Sequence, residues 1–170
     1  AALDAAFWVT IAAILALLIL SAFFSGSETA LTAASRAKLR SRADRGDKGA
    51  RAALEITEDS ERLIGALLLG NNVVNIFAAA LATALLTRLF GDRGVALATL
   101  AMTAMVLIFS EVLPKTYAIT TPEAVAARVA RPVRLLTRAL APVVSVVRAI
   151  VRGILWMFGV RTDPSTQMFR

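Results

Sequence analysis

The chain has 170 residues, of which 58% are hydrophobic, and its mean hydropathy is +0.70. Soluble domains are nearer half apolar and disperse their apolar residues, whereas this chain gathers them into blocks, which indicates membrane-spanning helices. The net charge of +7 is carried by Lys and Arg that flank these blocks, where basic residues set membrane orientation and meet anionic headgroups. This distribution excludes nucleic acid as the partner.

The sequence contains no histidine and no cysteine. Zinc and copper sites, Ser-His and Cys-His dyads and most general-base chemistry near neutral pH are therefore excluded. We expect a protein that is not an enzyme. Any metal site must be built from oxygen ligands.

The first apolar block runs from about Leu3 to Phe24, which is long enough to span a bilayer. A cleaved signal peptide is the alternative, but the block lacks a basic n-region and exceeds the usual apolar length of roughly 7–15 residues. We predict a first membrane helix that ends at the sequence Ser25-Gly26-Ser27.

Residues 33–62 are charged, carry eight Lys or Arg, and are predicted to form a cytoplasmic loop. The second apolar block runs from Leu63 to Leu89 and the third from Val95 to about Val112. Because proline disrupts helices, Pro114 is predicted to end the third helix.

Residues 122–160 are amphipathic rather than uniformly apolar, and Pro132 and Pro142 predict a segmented helix there. A fourth span would bury several arginines, each at a cost of roughly 2.5–3.5 kcal/mol at the bilayer centre. An interfacial helix lets them reach the headgroups instead. The prediction is an all-α membrane protein with three transmembrane helices (core, residues 1–121) and a juxtamembrane amphipathic helical belt (residues 122–160).

The basic residues also predict the orientation of the chain. Positively charged loops stay in the cytoplasm, which places residues 33–62 and the basic segment after Pro114 inside. The N-terminus is then outside and the C-terminus is cytoplasmic.

Each apolar block carries polar residues near its cytoplasmic end, and side chains four residues apart share a helix face. One polar stripe per helix at similar depth makes a convergent site geometrically feasible. Hydroxyl, amide, carboxylate and freed backbone carbonyl oxygens would suit a hard cation such as Mg²⁺. The residues concerned are Ser21 and Ser25, Asn71 and Asn75 next to Gly70, and Glu111.

Each set also has a purely structural interpretation. The serines could bond back to the preceding turn, the asparagines could hold helices together, and Glu111 could pair with Lys115 or cap a broken helix. The alanine-rich stretches 78–86 and 98–105 suit a dimer interface or packing within one protomer equally well.

Three motifs occur together in this chain: "FFSGSETAL" (23–31), "LLLGNNVVNI" (67–76) and "SEVLPKTYA" (110–118). In order and spacing they resemble the transmembrane domain of the CorC/cyclin-M magnesium transporters, and the likeness covers about residues 3–160.

This resemblance implies three transmembrane helices, a helical belt, a homodimer and Na⁺-dependent Mg²⁺ export across a bacterial inner membrane. It also implies that residues 161–170 begin a linker to a cytosolic CBS-domain pair that binds ATP and is absent from this chain. The alternatives are a non-transporting scaffold or sensor and a passive divalent cation channel. By position, the implied Mg²⁺ ligands are Ser21, Ser25, the Gly70 carbonyl, Asn71 and/or Asn75, and Glu111.

Overall fold

A computed structural model describes residues 4–160, and all regular structure within that range is helical. The all-α prediction is confirmed, while the predicted linker at 161–170 lies outside the described residues. A 3₁₀ turn, Thr57–Asp59, precedes the helix Ser60–Phe90, and a π-helical segment, Val106–Val112, joins the helices Arg93–Met105 and Leu113–Thr120. The α-helices are α1 (Ala5–Ala33), α2 (Arg36–Asp44), α3 (Lys48–Ile56), α4 (Ser60–Phe90), α5 (Arg93–Met105), α6 (Leu113–Thr120) and α7 (Pro122–Met157).

Four helical stretches in the described residues are long and apolar enough to cross a membrane, which is one more than the three predicted. The additional stretch is α7, which the sequence assigned to an interfacial belt. Pro132 and Pro142 lie inside α7 without ending it, so the predicted segmentation is wrong. The chain is a multi-pass membrane protein.

Helix α1 continues through Ser25-Gly26-Ser27, where the sequence predicted its end. All three residues are buried, and a Cβ built on Gly26 would lie 3.4 Å from the Cβ of Pro114. The absence of a side chain at Gly26 therefore lets α1 approach the start of α6 closely. This packing offsets the low intrinsic helix propensity of glycine.

The helical path also continues past Pro114, which was predicted to end it. The π-helical segment lies just before this proline, and the N–H of Leu113 bonds to the carbonyl of Ile108, five residues earlier. Proline lacks an N–H and its ring crowds the preceding turn of an α-helix. A widened π-helical turn accommodates both effects, so the chain stays helical from Arg93 to Thr120.

The charged segment 33–62 folds into α2, α3 and the start of α4. Asp47 caps α3 by accepting a hydrogen bond from the N–H of Ala50 at 3.1 Å, and Arg42 lies 3.2 Å from its other carboxylate oxygen. The N–H of Ala50, with a smaller contribution from Arg42, lowers the pKa of Asp47 below its ordinary 3.8. The stabilisation that the Asp47 carboxylate gives to the folded state is therefore complete above pH 3.8 and is lost as pH falls through the folded-state pKa of Asp47.

Two hydrophobic clusters hold these helices together. The first joins the α2–α3 hairpin to α7 and the C-terminal half of α1, through residues such as Leu39, Ala53 and Val133. The second joins α1, α4 and α5 and contains Ala78 and Ala98. At these positions the alanine-rich stretches therefore pack within one protomer.

Gly49 packs directly against α7, because a Cβ built there would overlap the carbonyl of Ala127. We expect Gly49→Ala to lower the free energy of unfolding by about 1–3 kcal/mol, as overpacking does. Gly153→Ala is the control, because no described residue beyond its own stretch of α7 lies within 4 Å of its Cβ position. It should be neutral or stabilising by up to about 1 kcal/mol. Thermal unfolding in detergent measures both; equal effects would contradict the packing described.

Candidate metal site

Side chains from three membrane helices form one hydrogen-bonded network. The Ser21 hydroxyl on α1 donates to Asn71 Oδ1 on α4 at 2.6 Å. Asn75 Nδ2 donates to the same oxygen at 3.4 Å, and Asn71 Nδ2 donates to Glu111 Oε1 at 3.4 Å. Four of the six residues singled out in the sequence therefore meet, with Asn71 as the common member. We refer to Ser21, Asn71, Asn75 and Glu111 as the polar network.

The side chain of Ser110 makes a contact with α1 that the sequence did not predict. Its hydroxyl is fully buried and donates to the carbonyl of Leu18 at 3.2 Å. This bond fixes the π-helical segment against α1 and so places the neighbouring Glu111 beside α4. The feature of the sequence that could have indicated this role is the position of Ser110 next to Glu111 in the third motif.

Several buried oxygens in this region have no hydrogen-bond partner among the described residues. They are Ser25 Oγ, Ser27 Oγ and Asn75 Oδ1. A buried polar group without a partner costs about 1–3 kcal/mol, so such groups need an explanation. Ser25 lies one turn from Ser21 on the same helix face, and Asn75 belongs to the polar network. Cation ligation would satisfy both oxygens, so the residues present fit a hard cation.

Glu111 supplies the only acidic group of the polar network, and its side chain is 31% exposed. Lys115 Nζ lies 3.3 Å from Glu111 Oε2, so the pairing considered as a structural alternative is present. No group of three or more acidic residues that could hold a metal occurs between residues 4 and 160. Any cation bound here would therefore be held mainly by neutral oxygens.

Gly70 lies within the continuous helix α4, without the local loosening that would expose its carbonyl. A Cβ at this position would lie 3.1 Å from the ring of Phe24. The glycine therefore allows α1 and α4 to pack closely beside the polar network. Ligation by its carbonyl stays a prediction.

Asn72 differs from the two asparagines of the network. It is exposed and lines a groove of about 730 Å³ between the start of α4 and the second half of α7. Gly65, Val147 and Arg148 also line this groove, and no residue of the polar network does. The structure thus separates Asn71 and Asn75 from Asn72, which the sequence alone could not do.

Comparison with known families matches residues 12–170 to the cyclin M transmembrane N-terminal domain. The chain is 43% identical over 147 residues to the UPF0053 inner membrane protein YfjD of Escherichia coli, covering 85% of this chain and 34% of that protein. It is 37% identical over 151 residues to a UPF0053 protein of Haemophilus influenzae, covering 89% and 36%. A DUF21 domain-containing chloroplastic protein of Arabidopsis thaliana is 39% identical over 154 residues, covering 89% and 23%.

These matches confirm the resemblance identified from the three motifs. The chain spans about a third of the length of the two bacterial relatives, 34% and 36%. The similarity therefore concerns the membrane domain.

The bond between Ser21 and Asn71 predicts energetic coupling between two helices. In a double-mutant cycle, Ser21→Ala and Asn71→Ala should show an interaction energy of about 0.5–3 kcal/mol, as residues in one hydrogen-bond network do. Chemical unfolding in detergent without divalent cations measures it.

Thr83→Ala supplies the control for this cycle, because Thr83 lies on the same helix but its hydroxyl bonds within α4, to the carbonyl of Ala79 at 2.8 Å. It lies 12 positions from Asn71 in the sequence, about 18 Å along a helix. Its coupling to Ser21→Ala should be close to zero. Equal coupling in the two cycles would show that the Ser21–Asn71 bond has no specific energetic role.

Proposed function

The chain belongs to the family of cyclin M transmembrane N-terminal domains, and from this premise we propose that it carries Mg²⁺ out of the cell in exchange for Na⁺. The observation that carries the proposal is the set of buried oxygens without partners, Ser25 Oγ and Asn75 Oδ1. They lie on two membrane helices whose polar faces are already joined, through Asn71, to the carboxylate of Glu111.

Each group has a distinct role in binding the transported ion. Glu111 supplies the negative charge that attracts a cation into the membrane. The neutral oxygens replace part of the hydration shell of Mg²⁺, which demands octahedral oxygen coordination at about 2.0–2.1 Å. The proposed neutral ligands are Ser21, Ser25, Asn71, Asn75 and the Gly70 carbonyl.

Binding requires a local rearrangement of hydrogen bonds. Asn71 Oδ1 accepts from two donors, Ser21 and Asn75, which occupy both of its lone pairs. At least one of these donors must turn away before the oxygen can bind a cation. One carboxylate against a divalent ion leaves the site with a net positive charge, which favours release over permanent capture. Transport then follows if the ion stabilises one of two helix packings. The π-helical segment that contains Glu111 is the element best suited to move, since such segments occur frequently at functional sites.

We further propose that α7 lies at the cytoplasmic interface and that α1, α4 and the α5–α6 helix cross the membrane. Ion pairs support this arrangement: Arg134 lies 3.3 Å from Glu55 on α3, and Arg148 lies 3.4 Å from Asp59, just before α4. Both halves of α7 therefore pair with the charged segment at one end of the bundle. Positive residues on that side favour a cytoplasmic location, with the N-terminus outside and the C-terminus inside.

The functional unit proposed is a homodimer in a bacterial inner membrane. We also propose that a cytosolic CBS-domain pair, which binds ATP, follows the membrane domain and regulates it. Both proposals rest on the family resemblance alone.

Glu111→Gln removes the one charge of the polar network while preserving the size of the side chain. We expect it to reduce Mg²⁺ efflux from proteoliposomes to the rate of protein-free vesicles, because the uncharged site no longer attracts the ion. The measurement is Mg²⁺ flux with and without an opposing Na⁺ gradient. If Mg²⁺ flux through the wild type does not depend on the Na⁺ gradient, a passive channel is favoured. If Glu111→Gln transports Mg²⁺ as fast as the wild type, the assigned site is excluded.

Ser25→Ala and Asn75→Ala remove buried oxygens proposed to bind Mg²⁺. Mg²⁺ at 100 times its Kd should stabilise the wild type by about 2.7 kcal/mol, and each substitution should remove most of this stabilisation. Thermal unfolding with and without Mg²⁺ measures the difference, with Thr83→Ala as the control that retains it. A non-transporting scaffold predicts the opposite: no Mg²⁺-dependent stabilisation in any of the proteins.

A further inference from the structure

Lys115 places a positive charge beside the carboxylate of Glu111, the group proposed to bind the transported ion. Its ammonium lies 3.3 Å from Glu111 Oε2, while the Asn71 amide donates to Oε1 at 3.4 Å. Both oxygens of Glu111 are therefore engaged by donors. Each carboxylate oxygen keeps a second lone pair, but a metal ion that binds Oε2 meets the ammonium of Lys115 at close range.

Lys115 is well placed to withdraw. It lies one helical turn beyond Glu111, so its ammonium is always tethered within reach of the carboxylate. Its side chain is 44% exposed, and the flexible four-carbon stem can carry the charge into water. Among the described residues, Lys115 is the only cation within ion-pair distance of Glu111.

The like charges of Lys115 and a divalent cation oppose simultaneous binding at one carboxylate. At about 4 Å, two unit charges near a protein surface interact with roughly 4 kcal/mol, and a divalent ion increases the repulsion. An arriving ion would therefore expel the ammonium, and its departure would allow the ammonium to return. Without this return, the empty carrier would hold an uncompensated carboxylate near the membrane, which is unfavourable.

We propose that Lys115 is an internal counter-cation that competes with the transported ion for Glu111 and neutralises it after release. This inference rests on the proposed function, because it requires that Glu111 bind the transported cation. In this role, Lys115 weakens binding of the transported ion and speeds the return of the empty carrier to its ion-accepting state.

The test is Lys115→Met, which removes the charge, keeps the length of the side chain and adds no oxygen. Removal of the competitor should lower the Kd for Mg²⁺ by about tenfold, equivalent to roughly 1.4 kcal/mol. The maximal rate of Mg²⁺ flux should fall by at least severalfold, because the empty site now carries a bare carboxylate. Mg²⁺-dependent thermal stabilisation gives the Kd, and proteoliposome flux gives the rate.

Two further variants separate charge from structure. Lys115→Arg retains the positive charge and should keep both values within about twofold of the wild type, a difference of roughly 0.4 kcal/mol or less. Lys48→Met removes an exposed charge on the α2–α3 hairpin and should change neither, which controls for the loss of overall positive charge.

The outcomes distinguish this inference from the function on which it rests. If the wild type binds Mg²⁺ and Lys115→Met binds it equally or more weakly, Lys115 is not a competitor and only this inference fails. If neither the wild type nor any variant responds to Mg²⁺, the proposed function fails, and this inference fails with it.

Discussion

The hydrogen bond from Ser21 to Asn71 is the interaction on which the arrangement of the membrane helices depends. Lipid offers no partner to a hydroxyl or an amide, so these groups must satisfy each other within the protein. Their 2.6 Å contact sets which face of α1 meets which face of α4. Asn71 then extends the same constraint to Glu111, so that three helices are aligned by one amide side chain.

Close packing at two glycines makes this alignment feasible. Gly26 allows Pro114 to pack against α1, and Gly70 allows the ring of Phe24 to pack against α4. Each contact lies within one turn or two of a polar residue of the network. The three sequence motifs thus combine small residues for helix approach with polar residues for the site, as membrane helix interfaces commonly do. Close helix packing and the polar network are therefore properties of the same short stretches.

Much of this organisation follows from the sequence, because helical periodicity fixes which residues share a face. It predicted the all-helical membrane fold and the polar stripes of α1 and α4. It failed where tertiary contacts override local propensity: α1 passes through Gly26, and the α5–α6 helix passes Pro114 by widening into a π-helical segment. Periodicity also could not show that Asn71 links the network while Asn72 faces a groove, since that depends on how the helices pack.

Mn²⁺ binding in crystals tests the central claim most directly, because Mn²⁺ prefers the same hard oxygen ligands as Mg²⁺ and scatters X-rays anomalously. We expect one anomalous peak between α1, α4 and the π-helical segment, at about 2.0–2.2 Å from Glu111 and from oxygens of the serines and asparagines. We expect Glu111→Gln crystals to lack it. A peak only outside this region, or an unchanged peak in Glu111→Gln, would contradict the account.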